Sequence, residues 1–571
     1  MSDQDSKALE SWFLLVLQPG VGGQTPTSAS FRFPAMIQTA SQPPQLRCFI
    51  NVIPIEVMAY IFQLAAEFNR TRYPVLVSHV CRSWRGLALN TPGLWTNIGI
   101  RLQCCSVTQP RRELCRASSF ASRSSLRALN IKMEIIYNNR RPTHGICQHL
   151  SCFVAGVKFI VGVCDRIKAL DVDSNFYATC TAVSYELIPR GLPMLERFRI
   201  TLGKGFPCPR TVRQSIPVDL FNTRSAWALN GPGSPQAQMN RLLPRLAELS
   251  LTGTFAFWNF WAVTNLASLT INHLEFPFRL HLHDLRCILM QNANSLERLE
   301  LHASIRSPSE SGLPSITLPR LRHLHLGFIS QFEALEFLQA LQAPSLRSLH
   351  MCDVPRMHHF RRHRLSANTS PPPVVNLHTG EESDSSALLH FLCVTPPAFL
   401  AQIESLTLTS IYLIHQERAW CTDVLTRSIP PSAVCPVRLM QTMTSLRTLT
   451  LHMPDHFFLQ SLNFPIPVPG TETDIQPCWT YPASQILDLT ITHLSHRDLK
   501  LFLSYRAEIV RHLARHPENS EKLPVLQHLT IGILEEDMPK VVQDSLSGMA
   551  WTKLPNELLA RTTIYGIHLM K

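Results

Sequence analysis

The sequence predicts a mixed α/β protein in which a short helical hairpin precedes a long array of repeated strands. Two observations support this prediction. Between Ile53 and Trp95, apolar residues recur at helical spacing on both sides of a polar connector. Beyond Ser125, a short leucine-containing phrase returns many times along the 571-residue chain. This length by itself predicts two or more domains, or one extended repeat array.

Residues 1–45, which precede the hairpin, are expected to be disordered. Residues 18–45 are rich in Gly, Pro, Ser, Thr and Gln, a composition that buries little apolar surface. The apolar stretch Trp12–Leu17 is too short to span a bilayer, and acidic rather than basic residues precede it. Because no later window is apolar enough either, the sequence predicts no membrane segment.

The hairpin, which we place at residues 46–100, contains two apolar stripes. Pro54 suits the first turn of a helix, where a missing N–H costs nothing. A second segment opens at Pro74, and Gly86 and the turn residues after it end the unit. So small a unit cannot bury both faces alone, so one face must contact a partner or the rest of the chain. The first stripe contains Val57, Met58, Ile61, Phe62 and Ala65, and the second contains Val77, Val80, Cys81 and Trp84.

These residues resemble an F-box. The first half of that motif reads approximately Leu-Pro-x-Glu-Ile-Leu-x-x-Ile-Phe, and Ile53–Phe62 follows it with Ile53 in place of the usual Leu. The second half reads Val-Cys-Arg-x-Trp-Arg and is matched by Val80–Arg85. The Thr-Pro-Gly-Leu-Trp that follows is similar to a variant found in large fungal F-box families. The alternative is an ordinary amphipathic hairpin buried in a helical domain.

The resemblance implies a function in protein ubiquitination. An F-box binds a Skp-type adaptor, and through it a cullin–RING ubiquitin ligase, so this chain would be the substrate-recognition subunit. The chain would position a protein client and would do no chemistry itself. The identity of the client is not encoded in any motif. The residues implied in adaptor binding are Ile53, Pro54, Val57, Ile61, Phe62, Val80, Cys81 and Trp84.

A phrase of the form Leu-x-x-Leu-x-Leu recurs through residues 101–571. The Leu and Ile content alone would produce about two strict copies by chance. Shared lead-ins such as Leu-Pro-Arg-Leu also favour a true repeat. Strict copies begin at Leu126, Leu246, Leu266, Leu296, Leu321, Leu446 and Leu526, and looser ones begin at Ile167, Leu195, Leu346, Ile403 and Ile486.

The phrase is typical of a leucine-rich repeat. Its last two apolar residues alternate along a strand toward the core, while intervening residues such as Arg322, His323 and His325 face outward. A helix or irregular segment completes each coil, so the sequence predicts an irregular leucine-rich-repeat-like solenoid. The chain lacks the asparagine ladder of the standard repeat, and an irregular α/β array not closed as a horseshoe is the alternative. One predicted return helix spans Phe332–Leu341, with Phe332, Leu335, Leu338 and Leu341 on its apolar face.

Two further segments have their own predictions. The insertion at residues 355–386 starts basic, passes through three prolines and ends acidic. It is either a docking loop for an acidic partner or a solvated loop whose two ends neutralise each other. Leu554–Leu559 resembles an F-box opening without its second half, and we interpret it as the end cap of the array.

Sites for chemistry are scarce in the sequence. His144, Cys147, His149 and Cys152 could ligate a metal, but they fall within nine residues rather than in two spaced couples. Chance clustering is therefore the favoured interpretation. The chain contains no Gly-rich phosphate loop, G-x-S-x-G elbow or H-E-x-x-H motif. We therefore predict no catalysis, no cofactor and no metal.

Composition limits the remaining function classes. Sixteen dispersed cysteines predict a reduced, intracellular protein, cytoplasmic or nuclear. A formal net charge of +12 permits contact with nucleic acid. The basic residues are scattered and lack interleaved aromatic residues, which disfavours that partner. The alternatives to a ligase subunit are a non-ligase interaction scaffold and, less favoured, a nucleic-acid-binding protein or an enzyme.

Overall fold

The structure is a computed structural model of the whole chain, which divides into two compact units, Met1–Val57 and Met58–Lys571. The predicted segments at residues 1–45 and 554–559, and most of the insertion at 355–386, lie outside the described residues. The described residues are 53–68, 72–103, 108–136, 147–174, 187, 190–202, 242–254, 263–274, 278–306, 314–355, 385–394, 396–411, 439–440, 442–454, 458–459, 462, 466–467, 479–480, 486–494, 499, 502, 528–533 and 563–564.

The described residues contain eight α-helices and twenty strands. The helices are α1 (Ile55–Phe68), α2 (Tyr73–Val80), α3 (Arg82–Leu89), α4 (Thr108–Arg123), α5 (Cys147–Val161), α6 (Leu282–Gln291), α7 (Gln331–Ala340) and α8 (Ser386–Val394). The strands are β1 (Asn97–Gln103), β2 (Leu129–Ile136), β3 (Ile167–Ser174), β4 (Arg197–Leu202), β5 (Glu248–Thr252), β6 (Ser268–Asn272), β7 (Leu280–His281), β8 (Arg298–His302), β9 (Ile305–Arg306), β10 (Ile316–Thr317), β11 (His323–Phe328), β12 (Leu341–Gln342), β13 (Ser348–Asp353), β14 (Ser405–Thr409), β15 (Thr448–His452), β16 (Ile466–Pro467), β17 (Trp479–Thr480), β18 (Asp488–Leu494), β19 (His528–Ile533) and β20 (Thr563–Ile564).

One sheet of 14 strands dominates the second unit. Its order is β1-β2-β3-β4-β5-β6-β8-β11-β13-β14-β15-β18-β19-β20, and each neighbouring pair is parallel. Parallel neighbours need a crossover connection between them, and α6 and α7 lie in two of these connections. The predicted mixed α/β class is therefore confirmed at the level of a large parallel sheet with helices.

The leucine phrases form the core of this sheet. In each copy from β5 to β18, the second and third apolar residues of the phrase are buried, and they align with their counterparts on the next strand. Burying a leucine or isoleucine contributes roughly 1.5–3 kcal/mol, so each strand is held mainly by its neighbours. The first such row contains Leu249, Leu269, Leu299, Leu324, Leu349, Leu406, Leu449 and Leu489.

Two details of the predicted array are wrong. Leu126, taken as the first leucine of a phrase, is 90% exposed, because a turn at Ser125 (φ 56°) separates α4 from β2. In α7, the inward side chains are Ala334, Phe337 and Leu338, whereas Phe332 is exposed. The capping box of Ser330 with Glu333 fixes where this helix starts, and so which face turns inward.

The strands end with a shared backbone turn that the sequence does not reveal. Six strands place a residue with positive φ two positions after the last leucine or isoleucine of the phrase. In five of these strands the N–H of that residue donates to the next strand, as from Ala303 N to Gly327 O at 2.8 Å. Five of the six are not glycine, although that conformation costs a non-glycine residue about 1–2 kcal/mol. They are Gly253, His273, Ala303, Ser410, Met453 and His493.

Trp95 joins the helices to the sheet. It ends a short 3₁₀ helix between α3 and β1 and is fully buried. Its Nε1 donates to Ala88 O at 2.8 Å, and its ring meets Phe120 of α4 edge-on with centroids 4.9 Å apart. The Arg123 guanidinium lies 4.6 Å from the centre of the same ring. The residues around Trp95 therefore belong to one packed unit that includes the first strands.

Candidate partner-binding surfaces

The second apolar segment of the hairpin is broken at Cys81. The sequence placed Val77, Val80, Cys81 and Trp84 on one stripe, but Cys81 is extended (φ −154°, ψ 172°) and separates α2 from α3. Its Sγ accepts a hydrogen bond from Trp84 N at 3.4 Å and caps α3. Because the helical phase restarts there, the residues before and after Cys81 do not share one helical face.

Some residues of the F-box-like motif hold the helices together rather than facing outward. Phe62 is buried, and its ring meets Trp84 at 4.9 Å and Tyr73 at 6.5 Å, both edge-on. Burial also raises the pKa of Tyr73 to about 12. Arg85 Nε donates to Ser78 O at 2.9 Å, which ties α3 to α2. Phe62 lies in the interior, so we leave it out of any outward-facing surface.

Other apolar side chains of the helices remain exposed. On α2, Leu76 is 58% exposed and Val80 is 45% exposed, and the two lie one helical turn apart. On α1, Tyr60 and Leu64 form an equivalent exposed pair. We refer to these as the α2 pair and the α1 pair. Isolated exposed apolar residues are ordinary, but two such pairs within one small helical segment are typical of a contact surface.

The predicted adaptor-binding residues are thus divided by environment. In the first unit, Pro54 and Val57 are exposed and Ile53 is half-buried. In the second unit, Val80 and Cys81 are exposed. Of the other three residues in that unit, Ile61 and Trp84 are half-buried and Phe62 is buried. Sequence reasoning missed the exposed Tyr60, Leu64, Leu76 and Leu89. None of these is a lettered position of the motif. The signal that could have identified the two pairs is the i, i+4 spacing of Tyr60 and Leu64 in α1 and of Leu76 and Val80 in α2.

The face of the sheet opposite the leucines is divided by charge. On β1–β4 it carries ion pairs, with Arg101 Nε 3.4 Å from Glu134 Oε2 and Arg197 Nε 3.6 Å from Asp171 Oδ1. From β13 to β18 it carries mainly hydroxyl and imidazole groups. One face therefore presents two different chemical environments to a partner.

A histidine cluster lies on β8, β11 and β13, where the second of these regions begins. The His325 and His350 rings stack with centroids 3.7 Å apart and an interplanar angle of 13°, and His302 meets His325 edge-on at 4.1 Å. His302 Nε2 lies within hydrogen-bond reach of His325 Nε2, so one of these nitrogens must carry a hydrogen and the other must not. Gly327 makes room for this arrangement, since a Cβ there would lie 2.6 Å from the His302 ring.

Two members of the cluster, His325 and His350, are held in their neutral form. Burial lowers the pKa of His325 to about 2, with His302 and His350 adding to the effect. Burial also lowers the pKa of His350 to about 4, and His452 contributes. The groups nearest these rings are Thr409, whose Oγ1 lies 2.8 Å from His350 Nε2, and Glu300, whose Oε1 is 4.0 Å from His325 Nδ1. That carboxylate is too distant to hold an imidazolium in place.

Acidification is therefore expected to destabilise the protein. Because the folded-state pKa of His350 lies below its ordinary 6.5, the unfolded chain binds more protons between about pH 6.5 and pH 4. The free energy of unfolding should fall by up to about 1.4 kcal/mol per pH unit for each such histidine. Melting temperatures measured across this window should fall less steeply in a His325→Asn/His350→Asn variant. His283→Asn, which alters an exposed histidine of α6, should keep the wild-type slope; a variant slope equal to wild type would contradict the assignment.

Neither cavities nor metal-ligand groups identify a catalytic centre in the described residues. A groove of about 710 Å³ lies at the start of β1–β5 and includes Asn97, Asn130, Lys168 and Glu196. These four side chains pair with one another, with Asn130 Nδ2 donating to Asn97 Oδ1 at 3.0 Å and Lys168 Nζ lying 3.2 Å from Glu196 Oε2. Among the described residues, no three His, Cys, Asp or Glu side chains are arranged to hold a metal. The predicted His144–Cys152 group falls outside this description, since His144 and the side chains on the first turns of α5 are not described.

Among the described helices, none combines the length and hydropathy that crossing a bilayer requires. No protein-family model matches the chain, and comparison with curated proteins also finds no match. The features of this chain that bear on function are the exposed apolar pairs on the helices and the chemically divided face of the sheet.

Proposed function

We propose that this chain is the substrate-recognition subunit of a Skp–cullin–F-box ubiquitin ligase. Its F-box-like helices would bind the adaptor, and its repeats would bind a protein client. The chain itself would do no chemistry. It would raise the local concentration of the client beside the subunits that transfer ubiquitin. The α2 pair, exposed on helices that carry both halves of an F-box-like motif, is the observation that carries this proposal.

The distribution of the motif residues supports this assignment. Trp84 and Arg85 hold α3 against α1 and α2, whereas Val80, from the same motif, is left outside. Covering an exposed apolar side chain contributes roughly 1.5–3 kcal/mol before the costs of association. A helical adaptor with an apolar groove is a suitable partner, because exposed residues one turn apart on a helix fit such a groove.

We further interpret the parallel sheet as one side of an irregular leucine-rich-repeat-like solenoid. The support is the in-register rows of buried leucines, the shared positive-φ turn after the strands, and return helices such as α6 and α7. In such an array, each repeat contacts only its neighbours and the chain presents an extended surface. The face opposite the leucines is that surface, and we assign it to the client.

The adaptor assignment is tested by co-purification of the full chain with a Skp-type adaptor. A Leu76→Asp/Val80→Asp variant should bind the adaptor at least about a hundredfold more weakly, since two apolar contacts are each replaced by a charge. Its melting temperature should match wild type, because both side chains are exposed. Leu126→Asp changes a still more exposed leucine outside the helical motif and should bind normally.

Two results would count against the proposal. One is a wild-type chain that binds no Skp-type adaptor, which would favour a non-ligase interaction scaffold. The other is a doubly substituted chain that binds as tightly as wild type. In that case the apolar pair on α2 is not part of the contact.

A further inference from the structure

The outward face of β13, β14, β15 and β18 is almost free of charge. Strand register sets its side chains in three rows, with adjacent strands about 4.8 Å apart. Asp488, at one end of the first row, is the one Asp, Glu, Lys or Arg among the twelve. The rows are Ser348, Ser405, Thr448 and Asp488; His350, Thr407, Thr450 and Thr490; and Cys352, Thr409, His452 and Thr492.

The two histidines of these rows do not add charge near neutral pH. Burial lowers the pKa of both His350 and His452 below the ordinary histidine value. Each also lies beside a threonine hydroxyl, His350 next to Thr409 and His452 next to Thr492. These contacts occupy Thr409 and Thr492, which are themselves buried.

The other hydroxyl groups have hydrogen-bonding capacity to spare. Their side chains make no hydrogen bond to any residue that the structure describes, and all are half-buried rather than fully exposed. A hydroxyl both donates and accepts. Two rows of such groups therefore form a lattice that can bond to a partner with mixed donors and acceptors. They are Ser348, Ser405, Thr407, Thr448, Thr450 and Thr490.

We propose that this hydroxyl lattice binds an extended, uncharged client segment rich in carboxamide and hydroxyl side chains. The inference rests on the proposed function in taking the partner to be the client. A carboxamide of Asn or Gln also carries both donors and acceptors, so it satisfies the lattice without a net charge.

Charge and hydration exclude the other kinds of segment. A charged client group would lose its hydration against these rows, where Asp488 is the one Asp, Glu, Lys or Arg among the twelve side chains, at a cost of several kcal/mol. An apolar segment would instead cover hydroxyl groups without bonding them, and each unmet group costs about 1–3 kcal/mol. On β1–β4 the same face carries Arg101, Lys132, Glu134 and Arg199, and that region would suit a charged segment instead.

The test is selection of random displayed peptides on the immobilised full chain, followed by affinity measurement of the selected peptides. Selected sequences should be enriched in Asn, Gln, Ser and Thr and depleted in charged residues. Their affinity should fall at least tenfold for Thr450→Lys and less than threefold for Thr450→Ser, which keeps the hydroxyl. Arg199→Glu, in the same row on the charged part of the face, should leave the affinity unchanged.

Several outcomes would overturn the inference. They are selection of predominantly acidic or basic peptides, selection of apolar peptides, and an affinity that Thr450→Lys does not change. Failure to obtain any peptide whose binding depends on Thr450 would do the same. The assay contains no adaptor, so its failure leaves the adaptor measurement on the α2 pair standing, and failure of the adaptor measurement leaves this result standing.

Discussion

Replacing Trp95 with alanine is expected to lower the free energy of unfolding by about 3–5 kcal/mol. The indole is fully buried, contacts Phe120 and the Arg123 guanidinium, and donates a hydrogen bond to Ala88 O. Truncation would leave a cavity between α3 and α4 that neither helix can close alone. Urea unfolding of the full chain measures the loss.

Trp95→Phe is the matched control for this substitution. It keeps an aromatic ring against Phe120 and Arg123 but loses the Nε1 hydrogen bond, so about 1 kcal/mol of destabilisation is expected. Amide exchange adds a local readout, because α3 should lose protection in Trp95→Ala before the central strands do. An alanine variant as stable as wild type would show that Trp95 does not join the helices to the sheet.

This coupling also affects how the helical segment can be studied. The predicted boundary at residue 100 falls within β1 (Asn97–Gln103), whose strand pairs with β2 along its whole length. Cutting the chain there would remove Trp95 from the part of the chain that contains the sheet, and it would expose the edge of β2 as an unpaired strand. Point substitutions on the exposed pairs therefore separate adaptor binding from folding more cleanly than truncation does.

The repeated strands could be predicted from sequence because their determinants are local. Leucines two residues apart must share one face of a strand, so Leu324 and Leu326 had to point to the same side. The end of such a strand is set differently. Ala303 and Met453 adopt positive φ because the next strand accepts their N–H groups, and no residue type announces that partner.

The candidate surfaces were less predictable because they depend on packing between segments. The motif letters identified Phe62 and Val80 together, yet one is interior and the other exposed. Only the position of α3, which is set by the break at Cys81, decides that Phe62 is covered and Val80 is exposed. The histidine cluster is similar, since its successive members lie 23 and 25 residues apart and meet only because their strands are neighbours.

Removing the carboxylate of Glu333 should destabilise the protein by about 3–5 kcal/mol, because the buried Arg279 charge loses the opposite charge of Glu333. The side chains of Arg279 and Glu333 are 5% and 7% exposed, with Nη1 and Oε1 3.9 Å apart. Burial lowers the pKa of Arg279 and raises the pKa of Glu333, so the loss of hydration works against the charged form of each side chain. The substitution to use is Glu333→Gln, because its amide oxygen can still accept from the Ser330 and Ile329 N–H groups that Glu333 Oε2 now accepts from.

The double variant Arg279→Met/Glu333→Gln then decides whether the charge or the packing is responsible. A pair separated by 3.9 Å recovers only part of the hydration that both ions lose, so removing both should restore most of the stability. Thermal and urea unfolding of the two variants, compared with wild type, give the coupling free energy between the sites. If the double variant is as unstable as Glu333→Gln, the loss comes from disturbed packing at the start of α7, and the buried charge is not its cause.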